Sequence, residues 1–258
     1  MSQSSHPLRH ASRAIAAIGA AFLIAGAAAA PAGVLAVNGG ACNTPYAPTI
    51  RTADFTDSRG RANAIDNPLF PLVPGTTFTY EGEKDGAPLR DVMTVTSTSR
   101  TIMGVPVRVV RDTAYSNGIL AEDTFDWYAQ DDAGNVWYFG EDTTEYAPDG
   151  TVITKFGSWE AGVGDNLPGI LMEAQPSAGD TYRQEYAPGV AVDMATILSR
   201  GKHITVPAGS YDNVLETKEF SCIESGSDHK FYAPGTGLIR ELAVSAGREN
   251  ISLVSVTH

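Results

Sequence analysis

Short strand-like runs follow one another along most of this chain, and this rhythm limits the fold more than any other sequence feature. From Asn67 onward, runs rich in β-branched and aromatic residues recur about every ten to fifteen residues. Dipeptides typical of tight hairpin turns, Asn117-Gly118 and Asp149-Gly150, separate several runs. No alternation of strands with helices is visible. We therefore predict an all-β fold: one strongly curved antiparallel sheet forming a barrel or half-barrel, lipocalin-like in envelope, with at most one or two short helices.

The predicted strands are 76–81, 90–97, 101–114, 119–130, 135–141, 152–156, 181–186, 202–206, 214–219, 230–232, 238–244 and 251–256. One helix is predicted over 193–199, from the spacing of Met194, Ile197 and Leu198, although a short buried strand fits the same letters.

Residues 121–142 predict the clearest hairpin, around the turn signal Asp131-Asp132-Ala133-Gly134. If Asp131 faces Asn135, side-chain alternation divides the hairpin into two faces. The first face carries Phe125, Trp127, Trp137 and Phe139. The second face carries Glu122, Thr124, Asp126, Tyr128, Tyr138 and Asp142. We expect the aromatic face to be core or cavity wall and the acidic face to be solvated.

The first 36 residues have the composition of a secretory signal peptide. Arg9 and Arg13 precede an apolar, alanine-rich run that is too short for a durable membrane span. We predict cleavage after Ala36, an irregular arm over 37–66 and one β-barrel-like domain over 67–258. No lipid-attachment motif precedes Cys42, so a secreted or periplasmic protein without stable membrane insertion is expected.

The chain is strongly acidic, with a formal net charge of −12. Nucleic acids and anionic lipid surfaces attract clusters of Lys and Arg, so this charge argues against such partners. The expected partner is a small molecule, and the expected oligomeric state is a monomer.

Two cysteines, Cys42 and Cys222, are present. Thiols of exported proteins tend to be oxidised, so one disulfide between these residues is predicted, with two free thiols as the alternative.

Three segments resemble those of a broad group of exported bacterial β-rich proteins of unknown function. The opening segment is NPLFPLVPGTTFTY at 67–80, and the closing segments are VPAGSYDNVLETKE at 206–219 and FYAPGTGLIR at 231–240. The resemblance implies a β-rich, barrel-like architecture. It implies no chemistry, because the group has no assigned activity.

Common catalytic signatures are absent from the sequence, including the Gly-x-Ser-x-Gly elbow, the His-Glu-x-x-His motif and the phosphate-binding loop. Carboxylates are then the candidate acid/base groups. The hairpin pattern places Glu141 on the aromatic face, where burial would raise its pKa. If the protein is an enzyme, we expect Glu141, Asp126 and Glu160 to be catalytic; a surface role for Glu141 at the strand end is the alternative.

Glu122, Asp126 and Asp142 share the predicted acidic face and could form a cation site, since calcium prefers oxygen ligands. The sequence requires no cofactor, and a calcium ion is the one candidate. A solvated charged face explains the same residues. His203 and His229, with Glu185 or Asp193, could form a second metal site, although no ligand spacing supports it.

The long loop over 157–172 is interpreted as either a lid or a plug, with Trp159 and Glu160 at a barrel mouth. Together with the hairpin, it gives the predicted ligand-binding residues: Trp127, Trp137, Phe139, Trp159 and Tyr128. The leading hypothesis is an exported protein that holds a small or amphipathic ligand in an aromatic-lined barrel cavity. The alternatives are a secreted hydrolase or lyase with carboxylate acid/base chemistry, and a calcium-dependent structural envelope protein.

Overall fold

The computed structural model describes residues 39–245 and 247–258. Antiparallel strands dominate it, with one short helix, α1 (Gly39–Cys42), and one 3₁₀ turn (Thr52–Phe55). The predicted signal peptide, residues 1–36, lies outside the described residues. The strands are β1 (Thr77–Lys84), β2 (Ala87–Ile102), β3 (Val105–Ser116), β4 (Ile119–Gln130), β5 (Val136–Tyr146), β6 (Val152–Thr154), β7 (Trp159–Glu160), β8 (Leu167–Met172), β9 (Thr181–Arg183), β10 (Glu185–Tyr186), β11 (Asp193–Val206), β12 (Gly209–Ser221), β13 (Ser227–Ala233), β14 (Gly237–Ser245) and β15 (Glu249–Thr257).

All of these strands belong to one sheet, which is nearly closed into a barrel. The strand order is β10-β8-β5-β4-β3-β2-β1-β15-β14-β13-β12-β11-β9, while β6 and β7 both pair with β5. The two ends of this order, β9 and β10, are separated in the chain by Gln184 alone. The Gln184 amide donates to the carbonyl oxygen of Asp193, 2.8 Å away. The predicted all-β barrel is confirmed.

Strand alternation and register define an inner and an outer face of the barrel. Tyr80 on β1 lies opposite Asp91 on β2, and Asp91 lies opposite Ala114 on β3. Ala114 in turn lies opposite Glu122 on β4. These four positions are all buried, so the inner face combines apolar and acidic side chains.

The 121–142 hairpin forms with the predicted turn. The Asp131 amide donates to the Asn135 carbonyl oxygen at 3.0 Å, and Tyr128 lies opposite Tyr138. Beyond that pair the register shifts by one residue, so Asp126 faces Glu141 rather than Gly140. Gly140 has a φ of +117°, and a Cβ there would overlap the carbonyl oxygen of Trp159. This bulge turns Glu141 toward the barrel interior.

The expected polarity of the acidic face is wrong, because Glu122, Asp126, Tyr128 and Tyr138 are buried. On the aromatic face, Trp127 and Phe139 are buried as expected, whereas Phe125 is 37% exposed. The acidic face is therefore the inner face of the barrel.

The aromatic face of the hairpin is the outer face, and the N-terminal arm covers part of it. Phe55 packs edge-on against Trp137 and Phe139, with ring centroids 6.2 and 5.7 Å apart. The side-chain oxygen of Gln130 accepts hydrogen bonds from the Asp66 and Asn67 amides, which fixes the arm to the hairpin. Apolar burial on this side thus occurs outside the barrel.

The first part of the segment 67–80 forms a plug in one end of the barrel. Phe70 follows the arm and packs against Tyr128 and Tyr232, with centroids 5.5 and 6.5 Å apart. Leu69 and Leu72 are buried beside it. The Asn67 side-chain amide donates to the carbonyl oxygens of Gly134 and Glu173, which anchors this plug.

The predicted disulfide is present and joins Cys42 to Cys222 across 180 residues of sequence. It connects the start of the arm to the chain just after β12. Residues 193–199 belong to strand β11, where Ala195 and Ile197 pair with β12 and are buried, so the helix is wrong and the alternative, a buried strand, is confirmed. The segment 157–172 contains β7 and β8, which pair with β5, so a lid is the wrong interpretation. Trp159 and Leu171 are buried in the core, as the alternative of a plug expects.

Candidate functional site: a carboxylate-lined barrel interior

Buried carboxylates from many strands line the inner face. They are Asp91, Asp112, Glu122, Asp126, Glu141, Glu185, Asp193, Glu219, Asp228 and Glu241. The ion pairs that reach this set from the described residues come from Lys230, while Lys84 lies close enough to act electrostatically. Burying carboxylates without matching cations is costly, so this interior is the strongest candidate for a functional site.

A central carboxylate site lies where β4, β5 and β7 meet. It consists of Asp126, Tyr128, Tyr138, Glu141, Trp159 and Glu185. Asp126 lies opposite Glu141, which lies opposite Trp159 on its other side. The Trp159 Nε1 donates to Glu185 Oε2 at 3.0 Å and so brings Glu185 into the group.

Aromatic rings form one side of the central carboxylate site. The Tyr128 and Tyr138 rings stack with centroids 4.9 Å apart, and Trp159 contacts Tyr138 edge-on at 5.6 Å. The Tyr138 hydroxyl donates to Asp126 Oδ1 at 2.7 Å. Within this site, three buried oxygens have no hydrogen-bond partner among the described residues: Tyr128 Oη, Asp126 Oδ2 and Glu141 Oε1.

Burial is the main cause of the pKa shifts in the central carboxylate site. It raises the pKa of Asp126 to about 8, together with the charge of Asp112 and against the hydrogen bond from Tyr138. The pKa of Glu141 is raised well above its usual range by burial and then by Glu185 and Asp126. The pKa of Glu185 is raised by burial and by Asp193, while the Trp159 hydrogen bond lowers it. The free site therefore tends to retain protons at neutral pH.

A second group of carboxylates, the Lys230 cluster, surrounds a buried ammonium. Lys230 Nζ lies 3.0 Å from Glu219 Oε2 and 3.6 Å from Glu241 Oε2. Burial lowers the pKa of Lys230, but the charges of Glu219, Glu241 and Asp228 outweigh burial and raise it overall. The ammonium therefore stays charged inside the barrel.

A third group, the Lys84 cluster, is built near the hairpin turn that joins β1 to β2. Lys84 Nζ lies 3.1 Å from Glu249 Oε2. Burial raises the pKa of Glu122 to about 8 and also raises that of Glu145, and in both cases the charge of Lys84 opposes the rise. Lys84 thus compensates part of the acidic charge at this end of the barrel.

The predicted catalytic residues are divided by the structure. Asp126 and Glu141 face each other inside the barrel, because the bulge at Gly140 places them on one face. Glu160 lies on the outside, where its carboxylate pairs with Arg100 at 2.6 Å. The structure thus brings Asp126 and Glu141 together and leaves Glu160 apart from them.

The predicted ligand-binding residues are divided in the same way. Tyr128 and Trp159 lie in the central carboxylate site. Trp127 is covered from outside by the Arg100 guanidinium, 4.1 Å from the ring centroid. Trp137 and Phe139 pack under Phe55 of the arm. As a cavity wall, these last three residues are wrongly predicted, because the aromatic face of the hairpin points outward.

The predicted metal sites do not assemble. Asp142 is exposed and pairs with Lys155 at 2.7 Å, away from the buried Glu122 and Asp126, because the bulge reverses its side. His203 contacts Asp212 and His229 contacts Glu216, so neither histidine joins Glu185 or Asp193. Over residues 39–245 and 247–258, no group of three or more Asp, Glu, His or Cys side chains is arranged to hold a metal ion.

A cavity of about 500 Å³ lies at the plugged end of the barrel, away from the carboxylates. Phe78 and Tyr211 contribute to its wall, beside Pro71 of the plug. Its lining residues carry no carboxylate side chain, so this cavity and the acidic interior are chemically distinct.

Several inner-face residues were not predicted as site residues, including Asp91, Asp112, Glu219 and Lys230. A signal for them is present in the sequence. Carboxylates stand at positions of the same parity on successive strands, as with Glu122 and Asp126 on β4. Odd or even position along a strand does not show which face of the sheet lies inside the barrel. The closed sheet does.

No protein-family model and no curated protein matches the chain. The resemblance to exported bacterial β-rich proteins therefore stays a prediction. One similar solved structure is a "putative exported protein" with a YmcC-like fold from Bacteroides fragilis, at 16% identity and a TM-score of 0.42. The match covers 74% of this chain and 99% of that one.

A second is a "putative lipoprotein" from Parabacteroides distasonis, at 13% identity and a TM-score of 0.36, covering 73% of this chain and 98% of that one. Similarities of this size carry no functional assignment. In the described part of the chain, no helix has the length and apolar character needed to cross a membrane.

Proposed function

We propose that this chain is an exported binding protein that holds a small, positively charged organic ligand inside its barrel. The observation that carries the proposal is the excess of buried carboxylates on the inner face over the two lysines, Lys84 and Lys230, that neutralise them. Export is supported by the predicted signal peptide and by the disulfide between Cys42 and Cys222, which is typical of oxidising compartments.

The charge of the ligand follows from the electrostatics of the interior. Burial, and then repulsion between carboxylates, raises the pKa values of Asp126, Glu122 and Glu241 to about 8 each, so these groups keep their protons in the free protein. A bound cation would stabilise the ionised carboxylates and replace those protons. An anionic or purely apolar ligand would gain nothing from this lining. Among the small or amphipathic ligands expected from the sequence, we therefore propose one that carries a cationic group.

The test is calorimetric titration of the purified mature protein with putrescine and spermidine at low ionic strength. Butane-1,4-diol, which has the carbon chain of putrescine without the charge, is the matched control. We expect saturable binding of the amines, release of protons on binding, and no binding of the diol. Proton release is measured by repeating the titration in buffers of different ionisation enthalpy. Absence of binding by every amine, or equal binding of the diol, would contradict the proposal.

A second candidate function, acid/base catalysis, is favoured by one observation: Asp126 and Glu141 face each other across β4 and β5. In a hydrolase or lyase, a carboxylate pair of this kind serves as proton donor and acceptor. For any activity found on a substrate panel, we expect E141Q and D126N each to lower the rate by about 10²- to 10⁴-fold. E160Q should leave the rate unchanged, because Glu160 lies outside the barrel with Arg100.

A further inference from the structure

The central carboxylate site differs from the Lys230 cluster and the Lys84 cluster in one respect. The Lys230 cluster and the Lys84 cluster each contain an ammonium group supplied by the chain itself. In the central carboxylate site, no Lys, Arg or His of the described residues forms an ion pair with Asp126, Glu141 or Glu185. The protein thus accommodates ammonium groups at two interior positions, whereas the central carboxylate site contains none, although the charge of Lys230 lowers the pKa of Glu185.

Buried polar groups without a hydrogen-bond partner are a second feature of the central carboxylate site, independent of its charge. Tyr128 is fully buried, and its hydroxyl has no hydrogen-bond partner among the described residues. This hydroxyl lies within the electrostatic influence of Asp126, Glu141 and Glu185. A buried hydroxyl without a partner is costly, and the cost disappears when a ligand supplies the missing bond.

The unused acceptors match one chemical group. Asp126 Oδ2, Glu141 Oε1 and Tyr128 Oη are three buried oxygens that can each accept a hydrogen bond. A primary ammonium carries three N–H donors and no acceptor. The Tyr138 and Trp159 rings beside these oxygens add surfaces that attract cations.

We propose that the central carboxylate site binds the primary ammonium group of a small organic amine, whose N–H groups donate to Asp126, Glu141 and Tyr128. This inference rests on the proposed function, because it identifies the position and the headgroup of the cation. It predicts selection of a primary amine over a trimethylated one, which has the same charge and no N–H donor. It also predicts that the site binds a primary amine more tightly than calcium, because calcium requires six to eight oxygen ligands.

The experiment measures affinity for n-butylamine by calorimetry, with n-butyltrimethylammonium, calcium chloride and butan-1-ol as comparison probes. We expect n-butylamine to bind at least tenfold more tightly than each of them. E141Q and D126N should each weaken n-butylamine binding at least tenfold, and Y128F should weaken it several-fold. D142N is the matched control, because Asp142 is the exposed neighbour of Glu141 and pairs with Lys155; its affinity should equal that of the wild type.

Melting temperatures show whether the variants fold. E141Q and D126N remove a buried carboxyl without changing its shape, so their melting temperatures should not fall below that of the wild type. Equal n-butylamine affinity in wild type, E141Q and D126N would overturn the inference, as would equal binding of the trimethylated probe.

Failure of this inference is distinguishable from failure of the proposed function. If amines bind and the binding is lost in E122Q and E145Q rather than in E141Q, the interior is a cation site and the central position is wrong. If binding is lost only in Y211A, the ligand occupies the cavity at the plugged end, and the inference is also wrong. If no amine binds the wild-type protein, both proposals are wrong.

Discussion

Gly140 determines on which side of the sheet Glu141 lies. Its φ of +117° belongs to a region that side chains rarely adopt, and no space exists for a Cβ next to Trp159. The bulge formed there moves Glu141 onto the same face as Asp126. A single backbone position thus creates the facing carboxylates of the central carboxylate site.

We expect Gly140→Ala to lower the free energy of unfolding by on the order of 2 kcal/mol or more, because it adds both backbone strain and a steric overlap. Gly150→Ala is the control. Gly150 also has a positive φ of +81°, but a Cβ added there would meet no other atom within 4 Å, so only strain of about 1 kcal/mol is expected. Urea unfolding measures both variants, and equal losses would contradict the role of close packing at Gly140.

Lys230 shows how the interior tolerates charge. Its ammonium is 2% exposed and lies between Glu219 and Glu241. Removing one partner of a buried ion pair leaves an uncompensated charge. We expect Lys230→Met to destabilise the protein by about 3 to 5 kcal/mol at pH 7.

The control for Lys230 is Lys155→Met, which removes an exposed ion pair with Asp142. Solvent weakens an exposed pair, so this change should have little effect on stability. Thermal unfolding distinguishes the two cases. If Lys230→Met were as stable as the control, the ammonium could not be holding the carboxylates together.

At the scale of elements, the N-terminal arm packs against the barrel as part of the folded domain. The 3₁₀ turn (Thr52–Phe55) places Phe55 against Trp137 and Phe139, and the Asp132 amide donates to the carbonyl oxygen of Asp54 at 2.7 Å. These contacts give the outer face of the hairpin a hydrophobic layer of its own. The sheet is consequently packed on both faces along β4 and β5.

We expect Phe55→Ala to cost about 3 to 5 kcal/mol, as truncation of a buried aromatic residue usually does. Hydrogen exchange should show faster exchange at the tip of the β4–β5 hairpin as the arm loosens. Phe156→Ala is the control, since Phe156 is 47% exposed and should change stability by less than about 0.5 kcal/mol. A loss below about 1 kcal/mol for Phe55→Ala would show that the arm contributes little to the packing.

The sequence predicted these elements unevenly, for physical reasons. Local turn chemistry located the 131–135 turn and its register, because such turns are set by a few neighbouring residues. It did not locate the bulge, although an isolated glycine within a strand, such as Gly140, is a known indication of one. The local pattern places only the aromatic face in the core, because aromatic residues usually lie there. Both faces carry buried side chains, since tertiary packing, which the local pattern does not show, brings Phe55 over Trp137.

At the scale of the whole molecule, the acidic interior couples folding to pH. The pKa values of Glu122, Asp126 and Glu241 are each raised to about 8 in the folded protein, mainly by burial. In the unfolded chain these carboxyls release their protons near pH 4. Between these values the folded state binds more protons than the unfolded state. Stability from these groups is therefore complete below about pH 4 and is lost as the pH rises through about 8.

We expect the free energy of unfolding to fall from pH 5 to pH 8, by about 1.4 kcal/mol per pH unit for each carboxyl that keeps its proton only when folded. Urea unfolding at several pH values measures this slope. Glu122→Gln should make the slope shallower, whereas Asp142→Asn should not change it. Stability that rises with pH across this range would show that the interior carboxylates are ionised in the free protein.

Residues 181–186, which join the two ends of the sheet, affect how the protein behaves in concentrated solution. The two ends of the sheet, β9 and β10, belong to one short stretch of chain, so an open edge appears on both sides when this stretch detaches. Unpaired strand edges template the association of one molecule with another. Aggregation should therefore follow the local opening of residues 181–186 more closely than global unfolding. A substitution that loosens this stretch would promote intermolecular sheet formation even in a protein whose melting temperature is unchanged.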